Sequence, residues 1–263
     1  MLSSQNITDI LNLVKSAGKE ILKIYSANDF HVTIKSDHSP VTVADIASDN
    51  IIKKGLSEIT PLIPVFSEET KEISYDIRAS WNPLWILDPL DGTKEFIALN
   101  GEFCICLALV MNCKPVAGFI FAPVTNEFWY ALEGKGAFKL DEDKEKRLPL
   151  KNHDGPIIIT ISRSHYNRDE AIWIDKLQKK QESLISIQGS AIKFCRIAEG
   201  TSDIYPKFGP INEWDVAAGD IIVKESGGEM VEVLTRLAPV YNKKNYIQPH
   251  FIVSGQRLKG KKL

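Results

Sequence analysis

The sequence of 263 residues has no long hydrophobic run, only four cysteines and almost no net charge. No stretch approaches the roughly 18 apolar residues of a membrane-spanning helix, so we expect no transmembrane segment. The first residues lack a basic region followed by an apolar run, which predicts no signal peptide. A formal charge of −2 disfavours a nucleic-acid partner, since such proteins are usually strongly basic. The cytoplasm is therefore the expected location.

The four cysteines are Cys104, Cys106, Cys113 and Cys195. They show neither the spacing of a zinc site nor the disulfide framework of a small secreted domain. Cys104 and Cys106 are two residues apart in an apolar segment, so they would point to the same face of a strand. We interpret them as small buried residues of the core.

A short basic segment, Lys259 to Lys262, is interpreted as a frayed and solvated end. Weak peripheral contact with the cytoplasmic face of the inner membrane is the open alternative, because anionic lipid attracts clustered lysines. The sequence carries no signal for an oligomeric state.

Hydrophobic periodicity predicts two lobes, residues 1–150 and 151–263. Apolar residues at helical spacing predict a helix over the first 25 residues and another over 43–56. In the first lobe the predicted strands are 64–66, 84–87 and a β-meander over 104–111, 116–122 and 127–132. The charged run Asp141 to Arg147 is interpreted as a solvated loop near the boundary. In the second lobe, strands alternate with helices: 157–162, 169–181, 184–188, 191–199, 203–205, 216–225 and 251–254. This order favours an α/β fold, layered in the α+β manner, with two stacked sheet-and-helix lobes.

The segment Asp88-Pro89-Leu90-Asp91-Gly92-Thr93 follows a hydrophobic run that reads as a buried strand. Proline fixes φ and removes a backbone donor, and Gly92 lets the chain turn close to a ligand. Carboxylates and carbonyl oxygens are the ligands that Mg²⁺ prefers, and Mg²⁺ commonly shares its shell with substrate phosphate. The segment therefore indicates metal-assisted phosphate chemistry.

Other acids stand at predicted strand ends and helix starts, where α/β folds place ligand sites. They are Asp45, the pair Glu68-Glu69, and Asp215. Taken singly, Asp45 and Asp215 could be helix N-caps, Glu68-Glu69 a solvated pair, and Asp91-Gly92 an ordinary turn. Taken together, so many convergent carboxylates would repel one another unless cations compensated them.

Three separated segments resemble those of the inositol monophosphatase superfamily of Mg²⁺-dependent phosphatases. They are Ser67-Glu68-Glu69, Asp88 to Thr93, and Trp214-Asp215-Val216-Ala217-Ala218-Gly219. They occur in the family order, and the resemblance covers nearly the whole chain. It implies the αβαβα five-layer sugar-phosphatase fold.

Within that superfamily, the sequence looks most like the bacterial 3′(2′),5′-bisphosphate nucleotidases of the CysQ type. Lys94-Glu95-Phe96 follows the threonine, where inositol monophosphatases typically carry Thr-Asn-Phe. The segments 100–103, 162–165, 189–196 and 203–206 continue the likeness.

The resemblance implies a role for each acidic residue. Glu68, Asp88 and the carbonyl of Leu90 would hold one Mg²⁺, and Asp88, Asp91 and Asp215 a second. A third, weaker Mg²⁺ beside Glu68 and Asp45 stays open, as does any role of Glu69. Asp45 and Thr93 match the pair that orients and deprotonates the attacking water.

Substrate residues follow in the same way. The amides of Gly92 and Thr93 could meet phosphate oxygens at a helix start. Ser190 and Lys193, three residues apart at a predicted helix start, could face one way and bind the retained 5′-phosphate. The resemblance places His165 near the adenine. Lys207 stands where related enzymes have an arginine, which would remove bidentate phosphate binding while keeping the charge. Taken alone, Lys193 and His165 would be interpreted as surface residues.

The implied reaction is removal of the 3′-phosphate from adenosine 3′,5′-bisphosphate, a small nucleotide, to give AMP and phosphate. Conversion of 3′-phosphoadenylyl sulfate to adenylyl sulfate is a further expected activity, and inhibition by lithium is implied. The alternatives are an inositol-phosphate or other sugar-phosphate phosphatase on the same fold, and a catalytically silent nucleotide- or RNA-binding relative.

Overall fold

The computed structural model describes residues 2–27, 30–34, 40–141, 144–151 and 153–261. Within these ranges the α-helices are α1 Ser4–Ala27, α2 Val43–Ile59, α3 Tyr75–Arg78, α4 Thr93–Ile97, α5 Arg168–Gln178, α6 Ile192–Glu199 and α7 Glu213–Glu225. A short 3₁₀ helix covers Glu68–Thr70. None of these helices combines the length and apolar character needed to cross a membrane.

The strands of the described residues form two large sheets and one small hairpin. The hairpin pairs β1 Thr33–Ile34 with β2 Pro40–Val41. The seven-stranded sheet runs in chain order through β3 Val65–Ser67, β4 Leu84–Asp91, β5 Cys104–Met111, β6 Lys114–Ala122, β7 Glu127–Leu132, β8 Gly136–Asp141 and β9 Lys144–Arg147. The five-stranded sheet has the order β11-β10-β12-β14-β13, with β10 Ile157–Ser162, β11 Ser183–Gln188, β12 Ile204–Lys207, β13 Glu229–Glu232 and β14 Phe251–Ser254.

Three hydrophobic cores stack these elements into five layers. The first joins α1 and α2 to one face of the seven-stranded sheet, as Ile10 and Leu56 pack with Phe119. The central core fills the space between the two sheets, where α6 and α7 lie, and includes Phe194 and Ile221. The third core packs α5 on the outer face of the five-stranded sheet. The order helix, sheet, helix, sheet, helix confirms the predicted αβαβα fold.

Strand β4 is buried on both faces, which explains its unbroken apolar run. Trp85 and Leu87 belong to the core beneath α1 and α2. Leu84 and Ile86 point the other way, into the central core. Since successive side chains alternate across a strand, burial of both faces removes the usual apolar–polar alternation.

The charged run at 141–147 differs from the predicted solvated loop. Strand β8 extends to Asp141, and Lys144–Arg147 forms β9, which pairs antiparallel with it. β9 lies at the edge of the seven-stranded sheet and its four charged residues are exposed, so one polar strand fits there without burying charge. Residues 142, 143 and 152 lie outside the described residues, and the lobe boundary near 150 stays a prediction. The predicted membrane contact of the basic tail also stays a prediction, because residue 262 lies outside them too.

Candidate active site

A β-bulge turns the two aspartates of β4 to the same side of the sheet. Asp88 pairs with Cys106 and Asp91 with Cys104, so three steps along β4 match two along β5. Residues three apart in a regular strand point to opposite faces, and one extra residue reverses that relation. Both carboxylates therefore line the same cavity.

Gly92 follows the bulge with a φ of +93° and starts the short helix α4. A Cβ at this position would lie 3.1 Å from the carbonyl oxygen of Glu102 and 3.2 Å from the Cβ of Ser190. The turn thus needs glycine both for its left-handed backbone and for the close approach of two neighbouring segments. It brings Thr93 over the end of β4.

Asp45 is the third residue of α2, and one of its oxygens closes the helix start. Its Oδ2 accepts hydrogen bonds from the Thr42 backbone N–H at 2.7 Å and the Thr42 hydroxyl at 2.6 Å. Its Oδ1 faces Thr93, whose Oγ1 lies 3.2 Å away. Asp45 is therefore not the N-cap, which is Thr42, but the third helical residue of a capping box, and its other oxygen contacts Thr93. Burial raises the pKa of Asp45 to about 6, against the hydrogen bonds from Thr42.

Glu68 begins the 3₁₀ helix immediately after β3. Because β3 runs parallel to β4 with Ser67 opposite Leu87, Glu68 follows its strand at the level of Asp88. The Ser67 hydroxyl accepts the Glu69 N–H and donates to Asp49 Oδ1 at 2.5 Å, which fixes the turn. An oxygen of Glu68 lies within 4.8 Å of oxygens of Asp88 and Asp215.

Asp215 repeats the arrangement of Asp45 at the start of α7. The sequence predicted a helix from residue 216, but α7 begins at Glu213, so Asp215 is its third residue. Its Oδ2 accepts the Asn212 backbone N–H at 3.0 Å. The carboxylate is thereby oriented by its own helix and lies beside Asp88.

Glu68, Asp88 and Asp215 form one cluster, with Asp88 buried and the other two half-buried, and one oxygen of each lies within 4.8 Å of the others. Burial, followed by repulsion from Glu68 and Asp91, raises the pKa of Asp88 well above its usual range. Burial likewise raises the pKa of Asp215, with Asp91 and Glu68 adding to it. Burial raises the pKa of Asp91 to about 6, although the Lys193 ammonium group opposes the shift. Mutual repulsion in a buried place is the condition that a bound dication relieves.

The cluster occupies one part of a cavity of about 470 Å³. Asp45 does not line this cavity and lies behind Thr93. Every other residue predicted for the site lines it: Glu68, Asp88, Leu90, Asp91, Gly92, Thr93, His165, Ser190, Lys193, Lys207 and Asp215.

Two of the three lysines that line the cavity, Lys193 and Lys207, are buried rather than on the surface. Lys193 Nζ donates to the backbone carbonyl of Ser190 at 2.5 Å and lies 5.2 Å from the centre of the Tyr205 ring. Lys207 Nζ donates to the carbonyl of His165 at 3.1 Å and lies 3.6 Å from Glu170 Oε1. Burial lowers the pKa of Lys193, an effect that Asp91 opposes.

His165 closes the rim of the cavity beside α4. Its Nε2 lies 3.0 Å from Lys94 Nζ. Burial lowers the pKa of His165, and the ammonium groups of Lys94 and Lys207 lower it further. The imidazole is therefore favoured in its neutral form, which suits contact with a neutral heterocycle.

Two glutamates that received no role from the sequence fasten the cavity wall. Glu95 is buried, and its Oε1 accepts the Ser164 hydroxyl at 2.6 Å. Glu102 accepts two hydrogen bonds from Arg163, at 2.6 and 2.7 Å, and one from the Gly189 N–H at 2.7 Å. Both glutamates lie in segments that carried the family likeness. Their hydrogen-bond partners are distant in sequence, so no role was predicted for them.

A model of the inositol monophosphatase family matches residues 4–261. The chain is 38% identical over 249 residues to a protein of Escherichia coli O157:H7 named 3′(2′),5′-bisphosphate nucleotidase CysQ, covering 94% of this chain and 99% of that relative. It is 40% identical over 222 residues to a protein of the same name from Buchnera aphidicola, with 84% and 82% covered.

Solved structures give the same result. CysQ from Bacteroides thetaiotaomicron, described as a bacterial member of the inositol monophosphatase family, matches with a TM-score of 0.86 and 39% identity over 96% of this chain and 98% of that one. An IMPase from Thermotoga maritima matches with a TM-score of 0.78 and 26% identity over 97% and 94%. The predicted resemblance, including its CysQ type, is confirmed: the chain belongs to the inositol monophosphatase family.

Proposed function

We propose that this chain removes the 3′-phosphate of adenosine 3′,5′-bisphosphate in a Mg²⁺-dependent reaction that yields AMP and phosphate. The observation that carries the proposal is one cavity lined both by acids, such as the buried Asp88 and the half-buried Asp215, and by the buried lysines Lys193 and Lys207. A substrate with two phosphates needs a place for each. The names of the CysQ relatives, at 38% and 40% identity, support this substrate class.

Membership of the family generally implies dependence on Mg²⁺, and the donor set fits such an ion, since Mg²⁺ prefers oxygen ligands. We assign Glu68, Asp88 and the Leu90 carbonyl to one ion. A second is assigned to Asp88, Asp91 and Asp215. Bound Mg²⁺ supplies charge neutralisation and stabilises the attacking and leaving oxygens of an in-line displacement.

Asp45 and Thr93 are assigned to the attacking water. The Thr93 hydroxyl alone is a poor base, but Asp45 Oδ1 at 3.2 Å can accept its proton as Thr93 takes one from water. A pKa raised to about 6 brings Asp45 closer to the range of an effective base at neutral pH. A third Mg²⁺ beside Glu68 and Asp45 is the alternative use of the same carboxylate. The Gly92 and Thr93 amides are assigned to the reacting phosphate.

At the basic end, Lys193, Lys207 and Ser190 are assigned to the retained 5′-phosphate, and neutral His165 to the adenine. Lys207 already contacts Glu170, so only part of its charge is directed to a ligand. Lysine also offers a point charge in place of the bidentate arginine fork, which predicts looser 5′-phosphate binding. Hydrolysis of 3′-phosphoadenylyl sulfate to adenylyl sulfate follows from the same pocket.

The other candidate is an inositol-phosphate phosphatase, favoured by the match to the Thermotoga IMPase at 26% identity. The higher identity to the CysQ proteins and the buried pair Lys193 and Lys207 support the nucleotide instead. A ring with a single phosphate would leave the basic end without an anion.

A phosphate-release assay over a small substrate panel tests the choice. Purified protein with saturating Mg²⁺ would be given adenosine 3′,5′-bisphosphate, 3′-phosphoadenylyl sulfate, inositol 1-phosphate and 3′-AMP, with and without lithium. We expect the bisphosphate to have the highest kcat/KM and 3′-AMP, which lacks the 5′-phosphate, to have a raised KM. Dominant turnover of inositol 1-phosphate would overturn the nucleotidase assignment. Full hydrolysis after exhaustive chelation would overturn the metal assignment.

A further inference from the structure

Two thiols lie directly behind the acidic end of the cavity. Cys104 and Cys106 are both buried, and their Sγ atoms are 3.7 Å apart on the central-core face of β5. Cys104 Sγ is also 3.9 Å from Asp91 Oδ2 and 3.5 Å from Ser190 Oγ. One ligand atom from each of Asp91, Cys104 and Cys106 lies within 4.8 Å of the others.

We propose that Cys104, Cys106 and Asp91 form a site for a thiophilic divalent cation such as Zn²⁺ or Cd²⁺, and that its occupation inhibits hydrolysis by holding Asp91 away from Mg²⁺. The inhibitory part rests on the proposed function, whereas the binding part does not. The site shares one carboxylate with the acidic cluster but differs from it in its other donors.

Two of the three donor spacings are close to those of a tetrahedral ion, and the third, between Cys106 and Asp91, is within 4.8 Å. With Zn–S bonds of about 2.3 Å, two thiolates at a tetrahedral angle lie about 3.8 Å apart, close to the observed 3.7 Å. A thiolate and a carboxylate oxygen on the same ion lie about 3.6 Å apart, so the 3.9 Å gap between Cys104 and Asp91 needs only a slight contraction. We assign the fourth position to Ser190 Oγ, which lies 3.5 Å from Cys104 Sγ, or to a solvent molecule.

The thiol donors distinguish this site from the proposed Mg²⁺ sites. Mg²⁺ prefers oxygen ligands, whereas thiolates select softer ions such as zinc. Each thiol releases its proton to solvent as its sulfur binds the ion. The ion balances two of the three negative charges on the thiolates and Asp91, and the Lys193 ammonium group lies close enough to interact with Asp91.

The Cys104 thiol adjoins the cavity wall. Asp91 and Ser190 both line the cavity, and the Cys104 thiol contacts both of them from behind. A small displacement of these two side chains would therefore expose Cys104. Cys106 lies next in line, beyond Cys104.

Cadmium titration of the full chain in saturating Mg²⁺ tests the proposal. Thiolate-to-cadmium charge-transfer absorption in the ultraviolet reports binding, and phosphate release from adenosine 3′,5′-bisphosphate reports inhibition. For the wild type we expect absorption that saturates near one equivalent, with inhibition at the same midpoint. In Cys104→Ser/Cys106→Ser the absorption should disappear and half-inhibition should need at least about tenfold more Cd²⁺.

Matched variants keep the result interpretable. Cys113→Ser removes an exposed thiol and Cys195→Ser a buried one, and both should behave as the wild type. If serine prevents folding, Cys104→Ala/Cys106→Ala takes its place. Absorption that persists in the double variant, or that depends on Cys113, overturns the site. Loss of absorption with unchanged inhibition overturns the inhibitory role. Absence of hydrolysis in the untreated wild type would count against the proposed function and leave the absorption arm as the test of the site.

Discussion

The molecule contains two groups of buried or half-buried carboxylates whose pKa values are shifted in opposite directions. At the junction of β7 and α6, Glu127 and Glu199 are paired with Arg196 and Lys139 at 2.6 to 3.1 Å. Although burial alone would raise it, hydrogen bonds from Arg196 and Lys139 lower the pKa of Glu127 to about 2.

In the cavity, the Lys193 ammonium group compensates Asp91 only in part. Burial and mutual repulsion raise the pKa of Asp88, and burial raises that of Asp91 to about 6. In the first group the protein supplies its own cations, and the charges fasten α6 to the seven-stranded sheet. In the second group, several carboxylates line one cavity, and a cation bound from solution would balance their charge. The difference indicates which acids serve stability and which serve chemistry.

The largest expected effect comes from Asp91→Asn. It should lower kcat by about a thousandfold or more, since a metal contributes several kcal/mol to the transition state and 1.36 kcal/mol corresponds to tenfold. Without Mg²⁺ the variant should be at least as stable as the wild type, because one source of repulsion is gone. Phosphate release and thermal unfolding in chelator measure both. Retained activity would contradict the role of Asp91 in metal binding.

The reciprocal change is Glu127→Gln in the paired group. Removing one carboxylate from a half-buried ion network should lower the free energy of unfolding by about 2 kcal/mol. The kcat of the folded fraction should stay within about twofold, because Glu127 does not line the cavity. Urea denaturation and kinetics on the same preparation test this. If Glu127→Gln abolished turnover without loss of stability, the two groups would not differ as described.

The pH dependence of stability should have opposite signs in the two groups. The folded-state pKa of Asp91 is raised to about 6, so metal-free folded protein binds more protons than unfolded protein between about pH 4 and 6. The Asp91 contribution therefore becomes unfavourable as pH rises through that window, by about 1–3 kcal/mol. The pKa of Glu127 is lowered to about 2, so its stabilisation is present above about pH 4.5 and is lost as pH falls towards 2.

Urea unfolding of wild type, Asp91→Asn and Glu127→Gln across pH, all in chelator, separates these contributions. The advantage of Asp91→Asn over the wild type should grow as the pH rises, and the deficit of Glu127→Gln should shrink as the pH falls. If the free energy of unfolding changed with pH in the same way in all three proteins, the two groups of carboxylates would not differ as described.

A smaller effect is expected at the basic end of the cavity. Lys193→Ala should raise the KM for adenosine 3′,5′-bisphosphate by about tenfold, the equivalent of about 1.4 kcal/mol, with a lesser change in kcat. Lys180→Ala, which removes an exposed lysine, is the matched control and should change neither constant. An unchanged KM in Lys193→Ala would exclude this lysine from the substrate site.

The sequence predicted the layered fold and most of the residues that meet in the cavity through the family resemblance, and part of that signal has a physical reason. Phosphate chemistry with Mg²⁺ restricts residue types over short segments, as at Asp88 to Thr93. The unbroken apolar run before Asp88 likewise reports burial on both faces of β4. Such signals lie within short segments of the chain, so they can be recognised in the sequence alone.

Features that depend on distant partners were not predictable. The bulge that turns Asp88 and Asp91 to one side is defined by pairing with β5. The Glu95 hydrogen bond to Ser164 spans 69 residues. The charged residues 144–147 form a strand because β8 offers an edge to pair with, whereas their composition alone favours a loop.

The most direct test of the central claim is calorimetric titration of Mg²⁺ into chelator-treated protein, comparing wild type, Asp91→Asn and Glu127→Gln. The account predicts saturable binding in wild type and Glu127→Gln, and binding weakened by about a hundredfold or more in Asp91→Asn. Indistinguishable isotherms for wild type and Asp91→Asn would contradict it.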